Sequence, residues 1–132
     1  MNKLSRQIRA NNRNQAITAM NTGIANMEAQ RREKDTAKRR QEAETWLYAL
    51  VSGAQLPDPG PDPMTIPKSR KLPKEQRPHR FREIMAYEQD RTWRRQHRDD
   101  WVFWSRLHTD VEAGRLSRDG AVEVVKARLS SL

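Results

Sequence analysis

The chain contains no cysteine. Disulfides, thiolate nucleophiles and thiol-ligated zinc are therefore excluded. The same absence suits a reducing compartment, so the expected location is the cytoplasm or the interior of a virion. Long apolar runs are also missing. None approaches the roughly 18 residues of a membrane span, and the N-terminus lacks the apolar core of a secretory signal. Residues 1–27 do hold Lys3, Arg6, Arg9 and Arg13 with no acid, a composition shared with mitochondrial presequences. Aromatic residues make up only 6% and apolar residues 35% of the 132 positions, against about 45–50% apolar in ordinary domains. A chain this polar cannot bury a large core over its whole length, and parts of it are expected to order against a partner.

Catalytic signatures are lacking too. There is no glycine-rich phosphate loop and no nucleophile elbow. The histidines, His79, His97 and His108, are too far apart for a helical ligand pair. One cluster has the right chemistry for magnesium: His97, Asp99 and Asp100, with Glu83, Glu88 and Asp90 nearby. Arg94, Arg95 and Arg98 lie beside these acids and are expected to pair with them, while Asp99-Asp100 suits a helix start. The chain is accordingly read as non-enzymatic, with no cofactor and no metal.

What the chain has in abundance is positive charge. Lysine and arginine number 26 against 17 acids, a net charge of +9. Such a surplus attracts polyanions and makes association salt-dependent.

Residues 2–52 hold no proline and one glycine, Gly23, amid frequent helix formers. A long helix is expected from about Ser5 to Ser52, with possible breaks at Asn11–Asn14 or Gly23. One row on it, at steps of three and four, reads Arg6, Arg9, Arg13, Ile17, Met20, Ile24, Met27, Arg31, Lys34, Lys38. These positions share a face that is apolar in the middle and basic at both ends. Ile17, Met20, Ile24 and Met27 are candidate partner-binding residues. Further on, Trp46, Leu47, Leu50 and Val51 form an apolar patch expected to dock on the C-terminal aromatics.

All seven prolines fall in residues 53–78. Proline removes donors and biases its predecessor to extended geometry, so an extended linker without regular structure is expected. Its second half carries Lys68, Arg70, Lys71, Lys74 and Arg77 against Glu75 alone. This is a candidate arm for a nucleic-acid backbone.

The stretch from His79 to His108 gathers six of the eight aromatics and seven arginines. It is expected to supply the core and the main contact surface together. A second helix, about His79–Arg98, should turn Phe81, Ile84 and Met85 inward. Arg91, Arg94, Arg95 and Arg98 share another face and are candidate phosphate contacts. Trp93 is a candidate protein contact or base-stacking ring. A third helix, about Trp101–Ala113, should stop at Gly114. Ser117 should cap a fourth, ending near Ser131.

The stretch EAGRLSRDGAVEVVKARL resembles C-terminal helical hairpins of the SHOCT type, short modules associated with oligomerisation. The shared positions are Gly114, Leu116, Ser117 and Arg128-Leu129. Asp119, Gly120 and Ala121 replace the acidic pair and phenylalanine usual after the turn. The resemblance covers under a fifth of the chain, implies a helical hairpin and possible self-association, and does not amount to membership.

The expected architecture is all-α: a long N-terminal helix (1–52), a Pro-rich extended linker (53–78) and a compact three-helix C-terminal region (79–132). The expected role is association with nucleic acid, through non-specific phosphate contacts, as a structural or accessory component of a larger bacterial or phage-like assembly. The alternative is a protein-binding subunit or inhibitor that lays its helix and linker on a larger machine, such as a virion component.

Overall fold

A computed structural model describes residues 3–132. Its described residues form four α-helices and no strand: α1 (Lys3–Ser52), α2 (Phe81–Gln96), α3 (Arg98–Glu112) and α4 (Arg118–Ser130). The all-α expectation and the long N-terminal helix are both met.

α1 runs 50 residues without a break. Asn11, Asn12, Asn14 and Gly23 do not interrupt it. A lone interior glycine costs roughly 1 kcal/mol relative to alanine, too little to break a helix whose flanking residues are mostly good helix formers. Gly53 ends it with φ 74°, the left-handed geometry that closes many helices. Arg118 of α4 reaches back to that end, donating to the carbonyls of Ala49 and Ala54 at 3.1 and 3.0 Å. Those acceptors have few partners of their own at a helix C-terminus.

The core is built by Ala43, Trp46, Ala49 and Leu50 of α1, Leu56 of the linker, Trp104 and Leu107 of α3, and Ala121 and Val125 of α4. Trp46 and Trp104 stack with centroids 5.0 Å apart and planes 15° from parallel. The alanines let α1 and α4 approach closely. α4 runs antiparallel to α1, since Arg118 meets Ala49 while Arg128 meets the Asp100–Arg39 pair nearer the middle of α1.

This corrects the expected core. The docking of Trp46 and Leu50 holds, but Val51 faces outward at 71% exposure. α2 contributes no buried residue. Phe81 is 76% exposed and Met85 42%, contrary to the inward face expected for them. The three-helix core therefore consists of α1, α3 and α4. α2 lies outside it, and packing crosses the boundary at residue 52.

The linker holds three single 3-10 turns, at Pro63–Thr65, Ser69–Lys71 and Lys74–Gln76, rather than irregular backbone throughout. It is pinned onto α2 and α3. Tyr87 donates to Pro67 O at 2.6 Å, Arg91 Nε to Ile66 O at 2.8 Å, and Trp101 Nε1 to Gly60 O at 3.0 Å. α2 is thus a platform for the linker.

One buried charge ties the core helices together. Asp100 in the first turn of α3 is 6% exposed. It accepts from Arg39 of α1 at 2.7 and 2.8 Å and from Arg128 of α4. Burial pushes the Asp100 carboxyl up, but the hydrogen bonds from Arg39 and Arg128 outweigh it and hold the pKa below its ordinary value. Its contribution is therefore complete above the unfolded value of about 3.9 and is lost as pH falls through the lower folded value.

Two outcomes follow for stability. Trp46→Ala should cost about 3–5 kcal/mol in denaturant melts, because it empties the centre of the core. Asp100→Asn should destabilise the chain at neutral pH and should flatten the acid limb of a stability–pH curve, which for the native chain falls below about pH 4.

Candidate nucleic-acid and partner interface

α2 begins after Pro78 and ends at Gln96; His97 alone separates it from α3. With φ −108° and ψ 35°, His97 leaves helical geometry for one residue. Its N–H donates to Trp93 O, and its carbonyl accepts from the N–H groups of Asp100 and Trp101. Its ring lies 4.0 Å from that of Trp93, and its Nε2 is 3.1 Å from Asp35 of α1. Asp99 and Asp100 therefore sit inside the first turn of α3, not at its cap. Acids there suit the positive end of the helix dipole.

The expected arginine face is split by the junction at His97, with Arg98 opening α3, and it is largely engaged within the chain. Arg91 donates to Ile66 O. Arg94 pairs with Asp90 at 2.8 Å, and Arg98 holds Asp62 through two bonds of 3.0 Å. Hydrogen bonds from Arg98, then from the Met64 N–H, hold the Asp62 pKa below its ordinary value. Arg95 is half-buried and has no ion-pair partner among the described residues. Of the expected pairings of Arg94, Arg95 and Arg98 with the neighbouring acids, Arg94–Asp90 forms, and none forms with Asp99 or Asp100. Asp100 takes Arg39 and Arg128 instead, and Arg98 takes Asp62 from the linker. Local sequence could not show this, because Arg39 and Asp100 are 61 positions apart.

The linker arm is different. Lys68, Arg70, Lys71 and Lys74 are exposed, and none has a carboxylate within ion-pair distance among the described residues. They ride on the second and third 3-10 turns. The first of these is fixed to α2 by the Ser69 N–H, which donates to Glu88 at 2.7 Å. That bond holds the Glu88 pKa below its ordinary value. Arg77 is turned back onto Leu72 O at 2.7 Å. The basic arm expected from the sequence is thus a ledge with four outward bases, braced on α2 at its second 3-10 turn.

The projecting part of α1 is the second open surface. Every residue from Lys3 to Lys34 except Ser5 is exposed. At 1.5 Å per residue this overhang spans about 48 Å. Ile17, Met20, Ile24 and Met27 lie on it at 51, 62, 50 and 57% exposure. The fifth candidate, Trp93, lies elsewhere: it is half-buried under Lys38, whose Nζ sits 4.2 Å from its ring centroid.

Between α1, the linker and the α2–α3 junction is a groove of ≈350 Å3. Tryptophans 46, 93, 101 and 104 line it, with Glu42, Asp58 and Asp90 among the acids. Sequence reasoning missed this site, since its walls come from three distant segments. Glu42 is exposed as a residue, yet burial of its carboxyl pushes its pKa up, with the Asp100 carboxylate adding to the effect. Among the described residues no group of three or more His, Asp or Glu is placed to hold a metal ion. Nor is any described helix long and apolar enough to cross a membrane.

No family model matches the chain, and neither the curated proteins nor the solved structures give a match.

Glu42 supplies a test of the groove's electrostatics. A carboxyl with a raised folded pKa opposes folding above that pKa and ceases to do so below it. Glu42→Gln should therefore raise the melting temperature slightly at neutral pH, and the gain should vanish in acid, where both side chains are neutral.

Proposed function

We propose that the chain is a non-enzymatic, basic helical protein that associates with nucleic acid as a structural or accessory component of a larger assembly. The observation that carries this reading is the ledge of Lys68, Arg70, Lys71 and Lys74: four exposed bases with no carboxylate at ion-pair distance among the described residues, the first three at the turn braced against α2. Bases on a braced backbone lose less chain freedom on meeting phosphates than bases on a free tether. Three of the four bases are lysines, compact point charges suited to phosphate, so contacts fall on the backbone and sequence preference is weak. Arg6, Arg9, Arg13 and Arg31, exposed on α1, extend the basic surface. Arg91, Arg94 and Arg98 have a different part in this reading. Their guanidiniums fix the linker and α2, and so present the ledge rather than grip the ligand.

Binding to a short duplex should fall steeply with salt. Four phosphate contacts give a slope of log K against log salt of about −3.6. Lys71→Gln should reduce the slope by about one, whereas Arg98→Gln should leave it unchanged. An affinity indifferent to salt would sink the proposal. So would a native preparation free of nucleic acid that carries one defined protein instead.

A further inference from the structure

The overhang of α1 carries a pattern that phosphate contacts do not explain. Ile17, Met20, Ile24 and Met27 form a two-heptad apolar stripe, open to water along its length. An isolated helix gains little of its stability from propensity alone; most comes from packing an apolar face. The stripe also points the same way as the docked part of the helix. Asp35 lies 18 residues, or five turns, beyond Ile17, and Lys38 lies five turns beyond Met20. Asp35 meets His97 and Lys38 meets Trp93, so both face the body. Ile24 and Met27 likewise stand five turns before Glu42 and Thr45, so the open stripe continues outward from the groove side of α1, beside the face packed through Ala43, Trp46 and Leu50.

We propose that this stripe docks one amphipathic helix of a partner protein, with an apolar middle and acidic flanks. Charge decides among the possible occupants. The row reads almost the same in both directions about a point between Met20 and Ile24. An antiparallel second copy would set Arg13 opposite Arg31 and Arg6 opposite Lys38. A parallel copy would set each base beside its own counterpart. Either pairing of like charges is unfavourable. Nucleic acid would satisfy Arg6, Arg9, Arg13, Arg31 and Lys34 but would leave the four apolar side chains wet. A helix with acids at the flanking positions meets both demands at once. The stripe is one seam of two a and two d positions, which offers room for a single partner helix. Methionine at both d-type positions adapts to an irregular facing surface.

This goes beyond nucleic-acid association and does not depend on it. The apolar stripe takes no part in phosphate contacts, and the ledge, which carries that reading, lies apart from it, although Arg6, Arg9, Arg13 and Arg31 can serve either partner. The test uses the full chain and two synthetic helical peptides. Both have leucine at the a and d positions of two central heptads; the flanking a and d positions are glutamate in one and lysine in the other. Fluorescence anisotropy should show the glutamate-flanked peptide binding with a Kd of about 1–10 μM. The lysine-flanked peptide should bind at least about tenfold more weakly. Met20→Gln and Ile24→Gln should each abolish binding of the first peptide. Glutamine is a good helix former and both sites are exposed, so the melting temperature and the duplex affinity should not change. Equal binding of the two peptides, or binding of neither, overturns the proposal. It is also overturned if light scattering shows a dimer that Ile24→Gln dissolves. The same holds if a duplex, rather than the acidic peptide, protects residues 17–27 from hydrogen exchange. A failure of duplex binding alone would remove the ledge reading and leave this one standing.

Discussion

The Asp100 carboxylate is the point on which the arrangement of helices depends. It lies at the start of α3 and takes guanidiniums from α1 and α4 together. Apolar contacts among Ala43, Trp46, Leu107 and Val125 supply the driving force for packing, but such contacts are non-directional. A bidentate Arg39–Asp100 pair tolerates only one geometry. It therefore fixes how far α1 is slid along α4, and with that how much of α1 overhangs. Replacing a buried ion pair by well-packed apolar residues is often neutral for stability. The role argued here is in register, and the stacking of Trp46 on Trp104 acts in the same direction.

The helices and their ends were largely legible in the sequence. Ser117 accepts from the Gly120 N–H as its position before α4 suggested. Gly53 and Gly114 close α1 and α3 with positive φ. These signals are local: they depend on one residue and its near neighbours. The Trp46–Leu50 patch was readable because helical spacing set its apolar residues beside a breaker.

Apart from the docking of Trp46 and Leu50 on the C-terminal aromatics, the choices among distant partners stayed hidden. Composition marked residues 79–108 as the richest in rings, yet Phe81 and Tyr87 serve the surface and the linker, while Trp46 from the first helix takes the centre. Likewise, Arg98 has Asp99 as its chain neighbour and bonds Asp62 instead. Adjacent residues on a helix do not face each other, so proximity in the chain was a poor guide to pairing. For the candidate contacts the structure draws a distinction that the sequence lacked: Arg91 of α2 and Arg98 of α3 bond the linker, while Lys68, Lys71 and Lys74 of the linker stay exposed.

The clamp at Asp35–Ser52 and the free length beyond it make α1 a cantilever. Movement at its root is magnified at its tip: a tilt of about 5° would carry the end of a 48 Å overhang some 4 Å. Asp35 and Lys38, resting on His97 and Trp93, form the edge of the support where such a lever would pivot. A load on the stripe would therefore bear first on that edge, next to the single-residue junction between α2 and α3. Mechanically, the long helix is a pointer, and the junction at His97 is its bearing.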